Sequence, residues 1–214
     1  MAALRRLVLA VGAALTLSAC SSPGAFDDDV VDQRKTATRA VEKLRPPLAS
    51  AGSAVAVAGR DVCRHGEQSF TIHEPTFACA VGRTWVVLGA RTDAGVLKQI
   101  ETMKRWVDYP ACDLLYAAPG LEAARQAWVG RSVQDPTKLP AGMYECGDVR
   151  VSVHFMSLRD MFGEPSSDVH SMSTDGEEVV SRMELPPDLV AELRERGDPF
   201  VWWVGVITDY AYIE

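Results

Sequence analysis

The chain lacks the short signatures that mark the common catalytic folds. It holds no GxSxG elbow, no GxxxxGK[S/T] loop, no GxGxxG turn and no HExxH pair. These absences argue against an α/β-hydrolase nucleophile, a phosphate cradle, a dinucleotide fold and a zincin. No CxxC pair is present, and the cysteine gaps are irregular, so a zinc site is the lesser alternative for these cysteines. No apolar run approaches the roughly 20 residues that a membrane-spanning helix needs. Basic residues are outnumbered, 22 against 29 acidic, for a net charge of −7. That balance disfavours nucleic acid as a partner.

What the sequence does have begins at its start. Arg5 and Arg6 precede an apolar stretch from Leu7 to Leu17, and Leu17-Ser18-Ala19-Cys20 follows. This arrangement resembles the lipobox signal of bacterial lipoproteins, a likeness confined to residues 1–20. It implies diacylglyceryl transfer to the Cys20 thiol, cleavage before Cys20 and acylation of the new amine. Residues 1–19 are then a signal peptide, residues 20–29 a tether rich in Ser, Pro, Gly and Asp, and residues 30–214 one domain, conceivable as two related halves. The expected location is the extracytoplasmic face of a cell membrane, with the membrane itself as first partner through the lipid. Loss of the leader takes Arg5 and Arg6 with it, and the mature charge becomes about −9, which repels an anionic surface.

Four cysteines remain beyond Cys20: Cys63, Cys79, Cys112 and Cys146. An even number in an exported chain points to disulfides. Four cysteines allow three pairings. The local pairs Cys63–Cys79 and Cys112–Cys146 are preferred because each closes a short loop.

Periodicity supplies the elements. Val30, Ala37, Val41, Leu44 and Leu48 share one helical face, with Asp28 or Asp29 as cap and Pro46-Pro47 as stop. Helices are also predicted from Thr92 or Asp93 to Val107, over Leu121–Val129 and over Pro187–Arg196, the last ended by Gly197. Residues 54–62 read as a strand. Gly82-Arg83 is read as a two-residue turn between Phe77–Val81 and Thr84–Leu88, pairing Cys79 with Val86. Gly147-Asp148 is read as a second turn, which sets Cys146 beside Val149 and Glu145 opposite Arg150. Asp175-Gly176 marks a third, leading into Glu177–Leu185. Phe200–Ile213 is a long apolar strand of the kind buried on both faces. The expected fold is α+β: a mostly antiparallel sheet of hairpins, helices packed on one face, stapled by two disulfides.

Chemistry-bearing clusters are sparse. His65, Glu67, His73 and Glu74 lie between two cysteines expected to pair, and imidazole with carboxylate can ligate a transition metal or move a proton. A polar surface loop accounts for the same residues, and no metal or cofactor is expected. Arg150, Ser152 and His154 share the polar face of one strand, which suits an anion or simply solvent. Trp202, Trp203, Tyr210 and Tyr212 crowd the last strand, as core packing or as a ligand groove. Arg150, His154, Trp202 and Tyr210 are the candidate ligand contacts. The expectation is a non-enzymatic binding or interaction module whose partner is an envelope protein or cell-wall component. The alternatives are an envelope hydrolase built on a histidine and a carboxylate, and a carrier of lipid or metabolite.

Overall fold

The computed structural model describes residues 23–49, 54–66, 68–69, 72–73, 76–108, 112–115, 120–129, 141–158, 177–198 and 200–213. Helix α1 covers Asp28–Lys43, α2 Asp93–Asp108, α3 Gly120–Trp128 and α4 Leu189–Glu195. The strands are β1 (Ala54–His65), β2 (Gln68–Ser69), β3 (Ile72–His73), β4 (Phe77–Leu88), β5 (Asp113–Leu115), β6 (Ala141–Cys146), β7 (Val149–Ser157), β8 (Glu177–Met183) and β9 (Phe200–Ile213). Seven of them form one antiparallel sheet in the order β5-β6-β7-β9-β4-β1-β8, and β2 with β3 forms a separate ribbon.

The sheet organises around β9, which lies between β7 and β4. Its side chains alternate between two apolar clusters. Phe200, Trp202, Val204 and Val206 join α1, α2 and α3 in the larger one. Val201 and Trp203 join Leu189 and Leu193 of α4, with Val86 and Leu158, in the smaller. Helices therefore cover both faces, not one. A central strand that is apolar on both sides must be covered on both, because either row left in water forfeits the gain of burial.

The predicted turn at Gly82-Arg83 does not form. β4 runs unbroken from Phe77 to Leu88, and Cys79 faces Cys63 and Tyr210 rather than Val86. Phe77, Cys79, Val81, Trp85 and Val87 keep one alternation across the supposed turn, interrupted only by Arg83. The Arg83 side chain lies across Gly59, where a Cβ would collide with it, and its Nε reaches Glu42 of α1 at 3.2 Å. A glycine opposite thus makes room for a cation inside an otherwise apolar row.

Other expectations meet the structure closely. The β6–β7 hairpin pairs Cys146 with Val149 and Glu145 with Arg150, and Gly147 adopts φ +66° in its turn. Gly197 adopts φ +72° behind α4, where the Asp198 amide donates to the Leu193 carbonyl at 3.1 Å. Thr92 caps α2, accepting from the Gly95 amide at 3.2 Å. The Asp175-Gly176 turn lies outside the described residues, although the strand it leads into is β8. At α1 the cap position is Asp27, while Asp28 and Asp29 fill the first turn, where their charge suits the helix dipole. Of the stretch expected as a tether, Ala25 is fully buried and Asp28 and Asp29 already belong to α1, so its later residues are part of the fold.

Both expected disulfides form. Cys63–Cys79 joins directly opposed residues of β1 and β4, and Cys112–Cys146 ties the residue before β5 to the end of β6. No helix among the described residues is long and apolar enough to cross a membrane.

Candidate functional site

α1 lies across β4 and β9 on the larger-core face. Beneath it sits a buried polar unit. Asp61 occupies an inward position of β1, two residues before Cys63, so the alternation that buries the disulfide buries a carboxylate as well. The Tyr210 hydroxyl donates to Asp61 Oδ1. Arg34 of α1 places Nε 3.1 Å from Asp61 Oδ2 and donates to the Tyr210 oxygen at 3.0 Å. Its Nη2 also donates to the Ala25 carbonyl. Cys63 Sγ lies 3.9 Å from the same hydroxyl. Burial, reinforced by the bond to Asp61, raises the Tyr210 hydroxyl well above the usual phenol range. The tyrosine is thus held protonated as a donor. Each charge has its partner, so the unit clamps α1 to the sheet.

An open groove of about 460 Å3 runs beside this unit, between α1, Asp148 of the β6–β7 turn and the Thr208–Tyr210 stretch of β9. Asp32, Gln33, Thr36, Asp148, Asp209 and Tyr210 contribute to its walls. The acidic rim is partly neutralised: Lys35 pairs with Asp32 at 2.9 Å and Arg150 with Asp209 at 3.0 Å. The Thr208 hydroxyl donates to the Asp148 carbonyl at 2.6 Å and holds the β6–β7 turn against β9. Gln33 Oε1 accepts from the Ala211 amide at 2.8 Å, and Ala211 takes φ +50°. A left-handed alanine is unfavourable, and this bond helps to hold it there.

The four candidate ligand contacts do not converge. Tyr210 lines the groove. Arg150 and its strand neighbour His154 belong to the opposite face, and Arg150 touches the rim only through Asp209. Trp202 is fully buried, with its indole N–H donated to Gln99 Oε1 at 2.9 Å and its ring against Phe155, so it packs the core instead of facing a ligand.

Of the loop cluster, His65 is exposed at the end of β1, its ring 5.0 Å from that of Phe77. His73 opposes Gln68 in the β2–β3 ribbon. Glu67 and Glu74, and the His73 side chain, lie outside the described residues. Among the described residues no group of three or more His, Cys, Asp or Glu side chains is arranged to hold a metal ion. His65 and His154 are far apart. His65 faces Phe77, which faces Ile213, whereas His154 faces Trp203. Those two positions of β9 are separated by roughly 30 Å at about 3.3 Å per residue.

Sequence reasoning missed Asp61 and Arg34. The available signal was a charge at the same strand parity as an inward cysteine, which demands a buried counter-charge from another element. No protein-family model, curated protein or solved structure matches the chain.

Proposed function

We propose that this protein is a lipid-anchored lipoprotein of the extracytoplasmic face, and that its domain binds a partner rather than transforming a substrate. The lipobox-like run ending at Cys20 supports the anchor. The two disulfides support an oxidising compartment. The observation that carries the binding reading is the groove beside α1, with neutralised charge pairs on its rim and a fully partnered tyrosine in its wall. Its volume falls within the range of small-ligand and peptide-side-chain sites. A hydrolase built on these histidines would need two of them, or one and a carboxylate, to meet, and the span between His65 and His154 speaks against their sharing a site.

Photo-crosslinking from the groove in the native envelope tests this reading. A photoreactive residue at Thr36 is expected to capture a discrete envelope component, and one at Glu195 on α4 is not. Equal, diffuse capture from both positions would count against a groove ligand.

A further inference from the structure

The point at which the chain enters the domain carries exposed aromatic and apolar side chains. Phe26 lies two residues before α1 and is 67% exposed. Tyr212 and Ile213 end β9 at 60% and 44% exposure. They share one end of the molecule. Ile213 faces Phe77 at the start of β4, Tyr210 anchors Arg34 beneath α1, and the Arg34 guanidinium carbon lies 5.8 Å from both the Phe26 and the Tyr210 ring centres.

Two features hold these side chains outward. Arg34 is itself fixed by Asp61, so Phe26 rests on an ordered cation rather than hanging free. At Ala211 the strand alternation breaks: Tyr210 and Ala211 are both buried, and Tyr212 then turns out. The left-handed backbone of Ala211, bonded to Gln33, produces that break. Non-glycine residues in this conformation are uncommon and cluster where function requires them.

Resting on the lipoprotein reading above, we infer that this end of the domain lies against the bilayer, with Phe26, Tyr212 and Ile213 in its interfacial layer. Only five residue steps separate Cys20 from the fully buried Ala25, a reach of at most about 18 Å. A head held so close meets the surface at high effective concentration, so a contact too weak for a free protein is still populated. Amphipathic aromatic rings such as that of tyrosine favour the headgroup layer, where one edge is apolar and the other wet. Preordered side chains lose little freedom on contact. Exposed Asp27, Asp28 and Asp29 beside Phe26 keep the contact shallow and repel anionic headgroups.

The test places benzoylphenylalanine at position 26, 212 or 195 of the full-length protein, expressed in its native membrane with labelled palmitate and irradiated. Glu195 is exposed at the end of α4, near the start of β9 and so about 40 Å from Ile213. The inference expects palmitate on the protein and severalfold more phospholipid adduct from positions 26 and 212 than from 195. Palmitate present with equal adduct at all three positions overturns the inference and leaves the anchor standing. Protein adducts in place of lipid at 26 and 212 also overturn it. Palmitate absent overturns both the anchor and the inference.

Discussion

The Tyr210 hydroxyl donates to the buried Asp61 carboxylate while Arg34, from a different element, closes the third side. This contact joins the last strand to the second element of the fold and ties the first helix to both.

Removing the hydroxyl leaves one Asp61 oxygen without its donor. Tyr210→Phe should therefore destabilise the domain by about 1–3 kcal/mol in urea unfolding. The variant also tests pH. Tyr210 has a folded-state pKa raised above its ordinary value of 10.0. Its stabilisation is fully present below about pH 10 and is lost as pH rises from there toward the folded pKa, because only the unfolded state releases the proton. Tyr144, raised mainly by burial, adds a loss of the same sign. The wild type should lose stability in alkali more steeply than Tyr210→Phe, and the measurement is unfolding free energy between pH 8 and 11.

Arg34→Met leaves the Asp61 charge buried with only a hydroxyl for company. Loss of one partner from such a pair typically costs about 3–5 kcal/mol, whereas replacing both costs far less. The double variant Arg34→Met/Asp61→Leu should recover most of the loss. Thermal unfolding of the two variants side by side distinguishes a broken pair from a general intolerance of change at α1.

Gln99 braces the core from α2. Its Oε1 accepts from the Trp202 indole at 2.9 Å and from the Ala90 amide at 2.8 Å, and its Nε2 donates to the Leu88 carbonyl at 3.0 Å. Gln99→Leu keeps the bulk and strands three polar groups, so a loss of about 2–4 kcal/mol is expected. A change within about 0.5 kcal/mol, the range of an ordinary surface substitution, would mean that these groups find other partners.

The disulfides close loops with sequence separations of 16 and 34 residues. On the chain-entropy model these contribute about 3 and 4 kcal/mol. Paired alanine substitutions, Cys63/Cys79 and Cys112/Cys146, should each lower the unfolding midpoint, with the larger entropic share at the longer loop. Non-reducing peptide mapping of the wild type should recover both pairs.

How much the sequence foretold depended on whether a signal was local. The β6–β7 hairpin was legible because Gly147-Asp148 sits where the alternation of Val149, Val151 and Val153 begins afresh. Gly82-Arg83 offered the same dipeptide chemistry inside an alternation that continues, and its decisive partner, Gly59, lies more than twenty positions away. The inward face of α1, with Val30, Ala37 and Val41 buried, followed from spacing alone. The coverage of both sheet faces was implicit in the doubly apolar Phe200–Ile213, yet nothing local says which helix lands on which side. Of the residues that line the groove, Tyr210 is the one that the sequence also offers as a candidate ligand contact. Arg34 and Asp61 meet it through tertiary packing, which one-dimensional periodicity does not encode.

Growth with labelled palmitate is the most direct measurement of where the protein works. One labelled species is expected, starting at Cys20 and lost in Cys20→Ala. An unlabelled full-length product in the cytosol, with Cys63, Cys79, Cys112 and Cys146 all as free thiols, would contradict it.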